Sequence, residues 1–116
     1  TRFSWGDGIT SLNANYGQNI GQTTDVGNYA ANPWGFFDMH GNVWEWTADA
    51  YQTAYPIGNP VINPAFPVVN TTSQGVFRGG SLVDSAPKHR SAQRYDYNLL
   101  ARQNNIGFRV SLQKSQ

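Results

Sequence analysis

No stretch of this 116-residue sequence repeats its apolar residues at the 3.6-residue period of an amphipathic helix. Glycine, proline and asparagine punctuate it instead: twelve Gly, six Pro and twelve Asn. Four of the prolines, Pro56, Pro60, Pro64 and Pro67, stand three or four residues apart. That spacing forbids a helix interior and a central strand alike, so residues 51–75 read as a long ordered loop. Residues 1–33 read as loops with at most short strands. Alternation of large apolar and polar residues marks strands over 43–47 and 106–112, and Val76-Phe77-Arg78 reads as a strand ending in the Gly79-Gly80-Ser81 turn. Residues 82–105 read as polar and irregular, and the last four residues are expected to fray.

The length suits one small domain. With 39% apolar and 14% aromatic residues, the chain can build a packed core, which excludes a disordered tail. The uncharged run 50–77 holds the four prolines above, so no membrane-spanning helix is expected. The first residues lack the charge-then-apolar pattern of a secretory leader. There is no cysteine, which excludes disulfide scaffolds, zinc–cysteine sites and cysteine nucleophiles. A net charge of +1 argues against non-specific nucleic-acid binding. The charge is unevenly placed. Residues 1–77 carry one basic side chain against five acidic ones, and residues 78–116 carry seven against two. The two parts should attract each other through arginines that tie loops together.

Three segments stand out: residues 32–46 (Asn-Pro-Trp-Gly-Phe-Phe-Asp-Met-His-Gly-Asn-Val-Trp-Glu-Trp), residues 77–81 (Phe-Arg-Gly-Gly-Ser), and Arg90-Ser-Ala-Gln-Arg94 followed by Arg102 and Ile106-Gly-Phe-Arg109. In this order and spacing they resemble the formylglycine-generating-enzyme-like (sulfatase-modifying factor) superfamily. The opening Arg2-Phe-Ser-Trp-Gly6 and Val26-Gly27 look like that family too. The resemblance covers nearly the whole chain. It implies an α+β, C-type-lectin-like fold with a small antiparallel sheet, long irregular loops and little helix. It also implies that residues 1–116 form a single domain that is the C-terminal part of a larger one. The missing half, which brings a strand and two helices, would then be this chain's first partner.

Two carboxylates, Asp38 and Glu45, flank a Gly41-Asn42 turn that can aim oxygens at one point. Ca²⁺ takes six to eight oxygen ligands, carbonyls included. The resemblance implies a structural calcium here, held by Asp38, the carbonyls of Gly41 and Val43, and Glu45. Asp38 stands where some relatives have Asn, which should tighten the site. The other reading has Asp38 and Glu45 pairing with Arg109 or Arg94, or capping turns, without an ion. A weaker second calcium site would use Asn15 and the carbonyl of Tyr16. The loop 17–22 that follows has no acid to complete it.

Trp34, Phe36, Phe37, Trp44 and Trp46 read mostly as core residues, in preference to a sugar-stacking platform. His40 reads as an exposed or hydrogen-bonded turn residue. Arg90, Arg94 and Arg109 read as structural clamps through bidentate, planar hydrogen bonds. Binding of an anionic ligand is their alternative role.

The resemblance departs at catalysis. The oxidising members of the family bind copper with two cysteines shortly after the Gly-Gly-Ser turn. Here Asp84 falls where the first would stand, and His89 is merely the residue nearest the second. Without thiolates there is no soft Cu(I) site, so formylglycine-generating activity is not expected. What remains is a surface of adaptable residues. It takes in Leu82, Val83, Asp84 and Ser85, then Lys88, His89 and Gln93. It continues through Tyr95, Asp96, Tyr97 and Asn98 to Gln103 and Asn104. Tyr gives contact area at low entropic cost, and Asn and Ser adapt their hydrogen bonds. The pattern resembles the variable region of retroelement-diversified proteins that use the same lectin-like fold. The expected function is therefore non-catalytic display, with residues 82–105 facing a protein or glycan ligand. A cell-surface, extracellular or periplasmic setting would suit it. The rival readings are a fragment of a metal-dependent oxidase or oxygenase of the same superfamily, and a structural module of a surface assembly.

Overall fold

The structure, a computed structural model, describes residues 1–54, 66 and 74–112. Most of the expected proline-rich loop and the frayed C-terminus lie outside the described residues. Four strands form one sheet: β1 (Trp44–Ala50), β2 (Gln74–Arg78), β3 (Tyr95–Asn98) and β4 (Ile106–Phe108). Their order is β3-β2-β1-β4. β1 and β2 run antiparallel, with Trp46 opposite Phe77 and a bulge between Trp46 and Ala50. β2 and β3 are antiparallel, with Phe77 opposite Tyr95. β4 adds a parallel pairing, Trp44 opposite Ile106. Among the described residues the only helical element is a single 3₁₀ turn, Ala86–His89, opened by Pro87 near its start.

Trp44, Val76 and Phe77 are buried with Phe3, Ala14 and Leu82, and the adjacent Val76 and Phe77 are covered on opposite faces of β2. Phe77 is the centre of an aromatic cluster. Trp44 and Trp46 meet it edge-on at centroid distances of 4.8 and 5.3 Å, and Tyr95 and Tyr97 flank it at 6.2 Å. Such edge-to-face pairs stabilise beyond the area they bury, by about 0.5–1.5 kcal/mol each. Gly75 leaves the space that Trp46 and Leu99 fill.

The signature aromatics divide, which corrects the core assignment for three of them. Trp34 is 81% exposed, and Phe36 and Phe37 are about half exposed. The reason is local. The Asn32 side chain accepts hydrogen bonds from the backbone N–H groups of Trp34 and Phe36, each at 3.0 Å, closing a tight turn after Pro33. That turn directs the rings away from the sheet.

The N-terminal segment is held from two sides. The Ser91 N–H donates to the Arg2 carbonyl at 2.8 Å. The Ser4 N–H donates to Nε2 of His40 at 3.2 Å, while Nδ1 of His40 lies 2.6 Å from the His89 carbonyl. A ring nitrogen that accepts carries no proton, so His40 is neutral with its proton on Nδ1. It is buried, and burial lowers its pKa.

Candidate binding face

The loop after β2 begins with two glycines in left-handed conformations, Gly79 at φ +97° and Gly80 at +78°. A Cβ on Gly80 would collide with the His89 ring. The double turn carries the chain inward, so Ser81, Leu82 and His89 are buried. The ring nitrogens of His89 lie 3.0 Å from the Ser81 carbonyl and 3.1 Å from the Ser85 carbonyl. Its side chain thus joins both ends of the loop. Leu82 is fixed by its backbone, donating to the Asn42 carbonyl and accepting from the Gln18 N–H.

Asp84 fastens this loop to β1. Its Oδ2 accepts from Nε1 of Trp44 at 2.8 Å, from Oγ of Ser81 at 2.5 Å and from the Ser81 N–H at 3.2 Å. Its Oδ1 pairs with Nζ of Lys88 at 3.1 Å. Burial pushes the Asp84 carboxyl up, but the hydrogen bonds from Ser81 and Lys88 together outweigh it and leave the pKa lowered. Leu82, Asp84 and His89 were expected on the adaptable surface. The structure corrects this: Leu82 and His89 face inward, and both oxygens of Asp84 are engaged. Gln93 is also engaged, accepting from Nη2 of Arg90 and donating to the Arg94 carbonyl.

Four of the expected surface residues come together. Nζ of Lys88 sits 5.1 Å from the centroid of the Tyr95 ring. Tyr95 and Tyr97 both lean on Phe77 and remain 40% exposed. Nε2 of Gln103 donates to the Tyr97 hydroxyl at 2.8 Å. Lys88, Tyr95, Tyr97 and Gln103 therefore make one row along the free edge of the sheet. Val83, Ser85, Asn98 and Asn104 are exposed, and Asp96 is half-buried. The Lys88 N–H donates to the Ser85 carbonyl at 3.0 Å, while among the described residues no hydrogen bond or ring contact joins Val83 or Asn104 to that row. Sequence reasoning missed the part played by Trp44, whose indole N–H holds Asp84. The Ser81-x-x-Asp84 spacing, which suits a self-bonded turn, was the available signal.

The arginines behave unequally. Arg109 is a clamp between segments. Its Nε and Nη2 donate to the two Glu45 carboxylate oxygens at 2.8 and 2.6 Å, and it also reaches the Phe37 and Asp38 carbonyls. The hydrogen bonds that Arg109 donates to Glu45 raise its pKa further, against burial. Arg94 reaches the Gln52 and Thr53 carbonyls and covers the Tyr51 ring. Arg90 bonds only locally, to Pro87 and Gln93.

Asp38, Gly41, Val43 and Glu45 line one cleft of about 380 Å³, with Arg109 beside them. Asp38 accepts from the Gly27 N–H through Oδ2. No turn or loop hydrogen bond of the described residues ends on the Gly41 or Val43 carbonyl. Asn15 is fully buried. Its Nδ2 donates to the Gln22 carbonyl, while its Oδ1 has no partner. The Tyr16 carbonyl accepts from the Asn19 N–H. Among the described residues, no three His, Cys, Asp or Glu side chains cluster together. No helix there is long and apolar enough to cross a membrane.

A family model described as the sulfatase-modifying factor enzyme 1-like domain matches residues 1–114. The chain belongs to this family. Its fold is the C-type-lectin-like one of that family, a small sheet with long irregular loops and little helix. A formylglycine-generating enzyme of Streptomyces coelicolor is 31% identical over 95% of this chain, which spans 40% of that enzyme. The serine/threonine-protein kinase pkn1 of Chlamydia caviae is 35% identical over 95% of the chain, which spans 18% of the kinase. Among solved structures, PvdO from Pseudomonas aeruginosa superposes with a TM-score of 0.74 and 30% identity, covering 89% of this chain and 40% of PvdO. Treponema denticola variable protein 1 superposes with a TM-score of 0.66 and 30% identity, covering 84% of this chain and 34% of that protein. This sulfatase-modifying-factor-type chain thus spans two fifths or less of these relatives.

Proposed function

We propose that this domain is a non-catalytic binding module whose protein or glycan ligand rests on the row Lys88, Tyr95, Tyr97 and Gln103. One observation carries the reading: the four side chains form a continuous, half-exposed row on a rigid sheet edge. At the same time, the position of the first family cysteine holds Asp84, engaged inside the fold. A row fixed beforehand by Phe77 and Trp44 loses little side-chain freedom on binding. The likeness to a variable protein of Treponema denticola supports the reading. In its sharpest form, a retroelement diversifies Val83, Ser85, Lys88 and residues 95–98 and 103–104. Sequence variation among copies from the source population reads this directly.

A structural calcium ion in the cleft of Asp38, Gly41, Val43 and Glu45 belongs to the same proposal. Oδ1 of Asp38, the two free carbonyls and the remaining lone pairs of Glu45 suit a hard cation. We also propose that the free edge of β4, with Phe108 exposed, is covered by residues of a longer chain.

The experiment is a binding screen of the full-length protein against surface proteins and glycans, beside an oxygen-consumption assay with iron or copper and thiol substrates. Alanine at Tyr95 and Tyr97 is expected to weaken the captured ligand by about 2 kcal/mol or more, as at interface hot spots. Turnover of a thiol or amine substrate would replace this reading with that of an oxidase or oxygenase. Alanine variants that leave every interaction intact would favour a structural module.

A further inference from the structure

We propose that the cleft between residues 2–9 and 86–90 binds a small α-amino carboxylate. Arg2 and Arg90 would hold its carboxylate, and Asp7 its ammonium group. The cleft encloses about 480 Å³, walled by Phe3, Ile9, Ala86 and Pro87 as well as these three charged residues. That volume lies within the range of small-molecule sites.

Arg109 has Glu45, and Lys88 has Asp84. Neither Arg2 nor Arg90 has a carboxylate within ion-pair distance among the described residues. The Arg2 guanidinium donates no hydrogen bond there, and Arg90 uses only Nε, to the Pro87 carbonyl, and Nη2, to Gln93. The Arg2 backbone does the structural tying: its N–H donates to Oδ1 of Asp7 and its carbonyl accepts from the Ser91 N–H, both at 2.8 Å. Its side chain is exposed beside the cleft.

Two guanidiniums beside one cleft attract an anion and match the planar geometry of a carboxylate. Asp7 in the same lining opposes a dianion such as phosphate. It favours a ligand that carries a cation next to its carboxylate. The apolar walls at Ile9 and Pro87 suit a hydrocarbon side chain. The site shares no residue with the tyrosine row, so it stands or falls separately from the binding module reading.

The test is calorimetric titration of the full chain with L-phenylalanine, L-phenylalaninamide and N-acetyl-L-phenylalanine. Saturable binding of L-phenylalanine is expected, with the amide and the acetylated compound each about tenfold or more weaker, as loss of a charged hydrogen bond implies. Arg2→Gln should weaken L-phenylalanine by a similar factor without moving Tm. Asp7→Asn should lower affinity for L-phenylalanine but not for the acetylated form. The proposal is overturned by absence of saturable L-phenylalanine binding, by equal affinity for the amide, or by an Arg2→Gln variant that binds like the parent. Inorganic phosphate competing as well as L-phenylalanine would reduce the site to a general anion patch and overturn the amino-acid assignment.

Discussion

Gly80 and His89 occupy each other's space. A methyl group at position 80 faces two penalties: the left-handed backbone, about 1–2 kcal/mol, and overpacking against a ring that cannot move, about 1–3 kcal/mol. Gly80→Ala should therefore lose about 2–5 kcal/mol of stability in urea unfolding. Stability close to that of the parent would mean that His89 is not packed there. His40 gives a second prediction. Burial lowers its pKa, so the unfolded chain takes up the proton first as pH falls. Its contribution is fully present above the unfolded value of about 6.5 and is lost as pH falls through the lowered folded value. Urea midpoints should drop on acidification from pH 7 before the carboxylates titrate, and His40→Gln should flatten that drop. A parent with flat stability down to pH 5 would contradict a buried neutral His40.

At the level of elements, β1 was legible because Trp44 and Trp46 fit the two-residue period, and β2 because the apolar pair Val76-Phe77 runs into the Gly79-Gly80 turn. β1 runs three residues past its expected end because the bulge after Trp46 breaks the alternation that would have marked it. β3 was hidden. Its four residues, Tyr95-Asp96-Tyr97-Asn98, alternate tyrosine with polar groups, and the tyrosines lean on a Phe77 that is far away in sequence. For the candidate face, the Lys, Tyr and Gln of the row were readable from chemistry alone. Leu82, Asp84 and His89 were not, because only the fold shows that Gly79 and Gly80 turn the chain inward. Gly75 tests how β2 supports this edge. A Cβ there would stand 2.5 Å from Cδ2 of Leu99 and 2.8 Å from Cζ3 of Trp46. Leu99 can swing away, so Gly75→Ala should cost about 1–2 kcal/mol and alter the near-ultraviolet signal of Trp46. An unchanged signal would mean that β2 does not press against Trp46.

Across the whole molecule, the cleft at Asp38 gathers segments distant in sequence: Val26-Gly27, residues 37–45 and Phe108-Arg109. An ion there would cross-link the loops to the start of β1 and the end of β4. Chelation should then lower Tm, with calcium restoring it, because a ligand of the folded state stabilises by mass action. An identical melt with and without chelator would leave the Arg109–Glu45 pair as the link on its own. The uneven charge seen in the sequence is used here, since an arginine from the basic part closes on an acid from the other.

The loop from 81 to 89 is fixed largely through main-chain oxygens. His89 reaches the carbonyls of Ser81 and Ser85, and its own carbonyl receives His40. A peptide oxygen is present whatever side chain its residue carries. Positions 83 and 85 can therefore be rewritten without slackening the loop that presents them. The loop's hold on the fold at those two positions thus rests on atoms that a substitution there does not change.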